Sequence, residues 1–273
     1  MHIQSFPPVP ALATYVEQYC LWDDEATPQT PVLHPVFPGL VNGLNVLYGE
    51  PFETVTIAGN EVLTTPGVEM IGMVTERRLY LRQTGRVGVL GVYFQPTGFF
   101  RLFGVPMSAV TDATLELDSV AGQFARELRQ RVGEAGTPAQ RLAVAEELLL
   151  RQLRRVQPAS EVIARVATWI RGHHGQVSVE ALAHAANLSR RQLERRFWAE
   201  VGTTPKLYAR IARFNHVFQL VEHTSTPDWL DVSHQCGYFD QAHFIREFKH
   251  FTGESPGGYF QHYNDFARFF WAR

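Results

Sequence analysis

Two stretches in the C-terminal half of the chain repeat one pattern. The first begins at Val177 and reads VSVEALAHAANLSRRQLERRFWAEVG, and the second begins at Pro227 and reads PDWLDVSHQCGYFDQAHFIREFKHFTG. The second copy carries one additional residue, Phe239. When the two copies are aligned, residues of the same or similar type recur at matching positions. The pairs are Leu182 with Val232, Asn187 with Gly237, Leu188 with Tyr238, Leu193 with Phe244, Arg195 with Arg246, Phe197 with Phe248, Gly202 with Gly253 and Tyr208 with Tyr259. Such a repeat predicts two helix-turn-helix motifs in tandem, the kind of unit that binds DNA, at residues 178–202 and 227–252.

The first motif has the signals of two helices joined by a tight turn. Ser178 and Ser189 are placed to cap these helices, and Leu193 and Phe197 recur at the spacing of a buried helical face. The N-terminal end of a recognition helix reaches base edges, and arginine bonds the O6 and N7 atoms of guanine. A cluster of arginines is also a common solvated helix face, so charge alone does not decide for DNA. The side chains predicted to read DNA here are Arg190, Arg191, Gln192, Glu194 and Arg195.

A long helix is predicted between the two motifs. Thr204 and Pro205 form a cap followed by a proline in the first turn, and the helix continues to about His223. About 19 residues at 1.5 Å each give roughly 29 Å. A turn of B-DNA rises about 34 Å, so this connector would place the two recognition helices in successive turns of the major groove.

The second motif has a less polar outer face. Thr226 and Pro227 are predicted to cap its first helix and Asp240 its second, with Gly237 at a turn position that needs a positive φ. Its predicted DNA-facing residues are Gln241, Ala242, His243, Arg246 and Lys249. Ala242 offers only apolar contact, for instance to a thymine methyl group, so we expect the second motif to read fewer bases than the first.

The N-terminal half is predicted to be rich in β-structure. NVLYGE, TVTIAG, VEMIGMV, RLYLRQ and VGVLGVYF are short, rich in Val, Ile, Leu and Tyr, and separated by glycines, which is typical of an antiparallel sandwich or small barrel. Two helices, at about 119–132 and 138–156, follow. With a break at 157–160, the chain is predicted to be an α+β protein with domains at 1–156 and 157–273. The aromatic tail YNDFARFFWAR is expected to pack back onto the chain.

Neither half shows a catalytic or metal-binding signature. Only His2 and His34 precede His173, and neither Ser5 nor Cys20 lies in a nucleophile motif, so no catalytic residue, metal or cofactor is expected. The clustered histidines of the C-terminal half match no zinc-finger spacing. If the N-terminal domain encloses a pocket, its candidate lining residues are Tyr48, Met70, Met73, Tyr80 and Tyr93, although residues of these types more often form a plain core.

The order of these parts resembles the AraC/XylS family of transcriptional regulators. DQAHFIREFK, from Asp240 to Lys249, and the FTGESP that follows are similar to the family's most diagnostic segment. GVYFQPTGFFRLFGVP is similar to one group of its N-terminal domains that has no assigned ligand. The resemblance implies a cupin-like N-terminal domain that binds a small-molecule effector or dimerises, and a C-terminal domain that reads DNA through the residues named above. Val232 and Ser233 depart from it, since family members usually have Ile and Ala there.

The chain is therefore predicted to be a sequence-specific transcriptional regulator that binds double-stranded DNA, as an activator or a repressor. A small-molecule effector and RNA polymerase are further expected partners, and both monomer and homodimer remain open. Two cysteines, no secretory signal and no long apolar run favour a cytoplasmic protein without a membrane span. Two alternatives remain, a catalytic N-terminal domain joined to a DNA-targeting module and a scaffold whose N-terminal domain only dimerises.

Overall fold

The computed structural model describes residues 2–25, 31–51, 53–56, 62–64, 67–77, 79–156, 160–222, 224 and 226–261. Most of the predicted interdomain break and nearly all of the aromatic tail lie outside these residues. In the described part of the chain, none of the helices is both long and apolar enough to cross a bilayer.

The N-terminal half forms two antiparallel sheets. The strands are β1 His2–Phe6, β2 Val16–Glu25, β3 Val32–Val36, β4 Asn42–Leu47, β5 Glu53–Thr56, β6 Val62–Thr64, β7 Val68–Ile71, β8 Leu79–Gln83, β9 Arg86–Phe94 and β10 Thr114–Glu116. One sheet has six strands in the order β1-β2-β9-β4-β7-β10, and the other has four in the order β3-β8-β5-β6. The prediction of an antiparallel β domain is confirmed.

Of the two predicted forms, a sandwich and a barrel, the barrel is not observed, because the two sheets do not close within the described residues. The edge strands β1 and β10 of the larger sheet do not pair with each other, because helices rather than a closing strand cover its apolar face. The two sheets meet where the Trp22 ring lies edge-on to His34, with 5.2 Å between ring centroids, and where Leu81 packs beside Trp22.

Three α-helices complete the described part of the N-terminal half: α1 Gly98–Phe103, α2 Asp118–Glu134 and α3 Pro138–Leu153. The Thr137 and Gln140 side chains form a capping box at the start of α3. Phe124 of α2 and Leu148 of α3 are buried with the sheet residues Leu44 and Leu90 in one core. The helices therefore stabilise the larger sheet by covering its apolar face.

The C-terminal half is entirely helical where the structure describes it. Its helices are α4 Val162–Gly172, α5 Val179–Ala185, α6 Arg190–Val201, α7 Pro205–Val221, α8 Trp229–Gln235, α9 Gln241–Thr252 and α10 Pro256–Tyr259. Helix α7 belongs to two cores, since Tyr208 packs in the first motif's core and Phe218 in the second's. Its 17 residues give about 25 Å, slightly shorter than the predicted connector.

Each helix-turn-helix core also contains one side chain from the N-terminal half. Met73 lies in the core of the first motif, beside residues such as Phe197, and Phe37 lies in the core of the second, edge-on to Tyr259 at 5.4 Å between ring centroids. Both side chains are at most 3% exposed. The N-terminal half is thus docked on both helix-turn-helix motifs.

Candidate nucleic-acid interface

The turns of the two motifs are geometric copies of each other. The Leu188 amide donates to Ala183 at 3.0 Å, and the equivalent Tyr238 amide donates to Ser233 at 3.0 Å. Asn187 has φ of 53° and its counterpart Gly237 has φ of 69°. The left-handed turn position is one that asparagine and glycine adopt more readily than other residues. The duplication seen in the sequence is therefore a duplication of backbone geometry.

Most of the predicted helix caps are confirmed. Ser178, Ser189, Thr204 and Asp240 each accept a hydrogen bond from a backbone amide in the first turn that follows. The prediction that Thr226 caps the second motif was wrong. Asp228 is the cap, because its carboxylate accepts from the amides of Leu230 and Asp231, and a carboxylate also suits the positive end of a helix dipole.

In the first recognition helix, α6, only part of the predicted arginine cluster is free to bind another molecule. The Arg190 guanidinium donates to Glu194 at 3.0 Å and to Glu180 at 2.9 Å. The exposed side chains of Arg191 and Arg195 make no ion pair within the described residues. Glu194 therefore holds Arg190 in place, a role that its i, i+4 spacing allows.

The second recognition helix, α9, presents fewer polar groups. Arg246 and Lys249 are exposed and make no ion pair in the described part of the chain. Ala242 is also exposed, while Gln241 and His243 are half-buried. His243 Nε2 lies 3.9 Å from the Glu247 carboxylate, and its ring is edge-on to Tyr238. The outer face thus begins apolar and ends basic.

Sequence reasoning gave no role to two exposed aromatic side chains at this surface. Phe239, just before the cap of α9, is 89% exposed, and Trp198 of α6 is 47% exposed. The extra residue in the second copy was the signal that pointed to Phe239, although exposure itself depends on the folded turn.

The five candidate effector residues do not line one pocket. Met70 is in the core of the N-terminal domain and Met73 is in the core of the first motif. The Tyr48 ring stacks on the Arg141 guanidinium and its hydroxyl donates to Asp23 at 3.0 Å. Tyr80 contacts Arg77, whose guanidinium lies 5.3 Å from its ring centroid. Tyr93 borders a cavity between the two halves, and the other four are absent from its lining.

That cavity has a volume of about 530 Å³ and lies between the two halves. Tyr93 and Glu17 form one wall, and the C-terminal end of α4 and the middle of α7 form the other. Arg171 of α4 donates to both Glu17 carboxylate oxygens, at 3.0 and 2.5 Å. The buried Asn215 Oδ1 atom has no hydrogen-bond donor among the described residues. The cavity is therefore lined by both polar and apolar groups, and the Arg171–Glu17 ion pair lies in its wall.

Two histidines also border this cavity. The rings of His174 and His216 are stacked with 3.7 Å between centroids. Burial lowers the pKa of His174, and the neighbouring His216 and His173 lower it further. His174 is therefore neutral near pH 7. A group of three or more His, Cys, Asp or Glu suited to a metal is not found among the described residues.

The N-terminal half also holds the C-terminal ends of both recognition helices. The Thr111 hydroxyl donates to the carbonyl of Gly202, the left-handed residue after α6, at 2.6 Å. The Arg77 guanidinium donates to the carbonyl of Thr252, the last residue of α9. Because Gly202 and Gly253 are equivalent in the duplication, the two bonded carbonyls lie within one residue of the same position in the two motifs.

Comparison with known proteins agrees with this architecture. Residues 182–262 match the family model described as a helix-turn-helix domain, and residues 4–116 match a domain of unknown function (DUF6597). The lactose operon transcription activator of Staphylococcus xylosus is 40% identical over 76 residues, 28% of this chain and 27% of that protein. The transcriptional activator RhaS of Escherichia coli is 25% identical over 145 residues, 49% of this chain and 51% of that protein.

Two solved structures are also similar. The DNA-binding domain of AdpA in complex with a target DNA is 32% identical, with 37% of this chain and 90% of that chain covered and a TM-score of 0.34. ToxT from Vibrio cholerae is 8% identical, with 94% of this chain and 96% of that chain covered and a TM-score of 0.46. The chain spans about a quarter to a half of the length of the curated relatives it matches.

The fold and the paired motifs define a two-domain protein with a tandem helix-turn-helix unit of the AraC type. Its C-terminal half is a helix-turn-helix domain of the AraC type, which the match to the helix-turn-helix model and the similarity to transcriptional activators support.

Proposed function

We propose that this protein is a sequence-specific DNA-binding regulator of transcription. The observation that carries the proposal is the equivalence of the two motifs, which present exposed, unpaired arginines at the same position of the duplication, Arg195 and Arg246, within the described residues. Two recognition helices fixed to one connecting helix can bind one duplex, and their relative placement then selects the spacing of the two half-sites.

The two helices would divide the work of binding. Arg191 and Arg195 lie on the outer face of α6 near its N-terminus, where guanidinium groups can donate two hydrogen bonds to guanine. Arg190 is held by two carboxylates, so it contributes less than its neighbours. Arg246 and Lys249 supply positive charge along α9, and contacts of this kind to phosphates position the protein without reading bases.

The experiment is a selection from a randomised duplex library, followed by titration of the enriched duplex. We expect the double variant Arg195→Ala, Arg246→Ala to lose at least tenfold in affinity for the enriched duplex, since each base or phosphate contact is worth about 1 kcal/mol or more. The double variant Arg126→Ala, Arg129→Ala removes the same charge from α2, where both arginines lie near Asp118, and serves as the control. Unchanged specific binding by the Arg195→Ala, Arg246→Ala variant would contradict the proposal that these two arginines bind DNA.

We further propose that a small molecule regulates the protein from the cavity between its two halves. The supporting observations are its volume, within the usual range for ligand sites, and a lining that includes polar side chains such as Gln95 and Asn215. A ligand there would touch α4 and α7 as well as the N-terminal sheet, so it would influence how the motifs are held. Thermal-shift screening with small polar compounds tests this, because a ligand of the folded state raises the melting temperature.

An Asn215→Leu variant separates a ligand in this cavity from one bound elsewhere. It should abolish the shift produced by a cavity ligand while DNA binding without ligand persists. A shift that the variant retains would place the ligand at another site.

The relatives named as transcription activators favour activation as the mode of action. The proposed partner in activation is RNA polymerase, in the cytoplasm.

A further inference from the structure

Phe239 is the most exposed large apolar side chain in the part of the chain that the structure describes. It is 89% exposed, whereas the next most exposed, Leu33, is 52% exposed. Its two neighbours have clear structural roles, because Tyr238 is buried in the core of the second motif and Asp240 caps α9 by accepting from the His243 amide at 2.6 Å. Phe239 takes part in neither the core nor the cap.

The fold of the motif does not require a phenyl group at this point. In the first motif Leu188 is followed directly by the cap Ser189, and in the second Phe239 stands between Tyr238 and the cap. The hydrogen bonds of the two turns are the same up to that residue. A phenylalanine side chain stabilises a structure only when it is buried, so Phe239 contributes when another molecule covers it.

The surroundings of Phe239 indicate which molecule that is. Ala242, three residues further on, is exposed, and Ile245 is 37% exposed, so the start of α9 is apolar. Arg246 and Lys249 follow on the same helix and carry the positive charge. A small apolar area next to cations matches the major groove, in which thymine methyl groups lie between two rows of phosphates.

We propose that Phe239, with Ala242, contacts thymine C5-methyl groups in the half-site bound by the second motif. The second motif then reads A·T pairs by apolar contact, while the first reads guanine through arginine. This inference rests on the proposed function and assigns a base preference to one of its two half-sites.

The test starts from the duplex that the wild-type protein enriches from a randomised library. Each thymine of the enriched duplex is replaced in turn by deoxyuridine, which removes the methyl group and nothing else. For the wild type we expect at least one replacement in the α9 half-site to weaken binding about fourfold, the effect of exposing one methyl-sized group. For Phe239→Ala we expect that replacement to have no effect. Phe239→Ser should behave in the same way, which guards against a fortuitous repacking in one variant.

Two controls show whether the loss of methyl sensitivity is specific to Phe239. Val120→Ala removes an apolar group that is 45% exposed on α2 and should leave methyl sensitivity unchanged. The slope of affinity against salt should be the same for Phe239→Ala and the wild type, since no charge is lost. If Phe239→Ala keeps the wild-type methyl sensitivity, or if affinity is insensitive to every thymine methyl, Phe239 does not read DNA and serves another partner. If the wild type enriches no sequence at all, the proposed function itself fails.

Discussion

Replacing Gly202 with alanine tests whether the N-terminal half is docked on the first recognition helix. Gly202 ends α6 with φ of 93°, and a Cβ atom there would overlap the Thr111 hydroxyl and lie 2.9 Å from the Met107 carbonyl oxygen. Gly104 ends α1 with φ of 69°, and a Cβ atom there would have no neighbour within 4 Å among the described residues. The two glycines have similar backbone strain but differ in what surrounds them.

The expected magnitudes follow from this difference. An alanine in the left-handed conformation destabilises the folded state by about 1–2 kcal/mol. The same substitution lowers the conformational entropy of the unfolded chain, which stabilises the protein by about 0.4–1 kcal/mol. Gly104→Ala should therefore lower the free energy of unfolding by about 1 kcal/mol. Gly202→Ala also breaks the hydrogen bond from Thr111, worth about 0.5–1.5 kcal/mol, and forces Met107 away. We expect a total cost of roughly 2–4 kcal/mol.

Urea denaturation of the two variants measures these costs, and a double-mutant cycle assigns the difference. Thr111→Ala removes the hydroxyl that the new Cβ atom meets, so it should recover part of the loss in Gly202→Ala and none in Gly104→Ala. Equal costs for the two glycine variants, with no coupling to Thr111→Ala, would refute a docked N-terminal half.

Three further predictions concern charge and recognition. Burial raises the pKa of Glu69 to about 8, and the like charge of Glu116 across the strand pair adds to this. The folded protein therefore binds a proton more tightly than the unfolded chain, and this stabilisation, complete below about pH 4.5, is lost as pH rises through 8. Glu69→Gln should match the wild type in melting temperature near pH 4.5 and exceed it above pH 8, and a pH-independent difference would contradict this. Arg191→Ala should weaken binding to the enriched duplex about tenfold, and Arg190→Ala less than threefold, because Arg190 is paired with two carboxylates. A larger loss in Arg190→Ala than in Arg191→Ala would contradict a structural role for Arg190. Alanine scans of α6 should reduce affinity more than matched scans of α9, and equal or opposite losses would overturn the unequal division of base reading.

Local signals in the sequence were enough to predict the helical half of the fold. The duplication, the serine and threonine caps and the left-handed turn at Gly237 each depend on residues a few positions apart, where short-range geometry decides. Thr226 shows the limit of such signals, because a nearby carboxylate, Asp228, is the better cap for a helix N-terminus. The i, i+4 spacing of Arg190 and Glu194 could have indicated their ion pair.

Features set by distant contacts were not predicted. Whether a sheet closes depends on its edge strands meeting across the whole domain, and here helices cover the larger sheet instead. Met73 and Tyr80 are residue types that often line pockets. In the structure, Met73 lies in the core of the first helix-turn-helix motif and Tyr80 contacts Arg77. The cavity between the halves combines Tyr93 with residues of α4 and α7, an arrangement that only the docked structure provides.

Hydroxyl-radical footprinting of the enriched duplex tests most directly whether both motifs bind one DNA molecule. The proposed function predicts two protected segments on one face of the duplex, centred about one helical turn, or roughly 10 base pairs, apart. Arg246→Ala should weaken protection of one segment only. A single protected segment that remains unchanged in Arg246→Ala would contradict the binding of two successive major grooves.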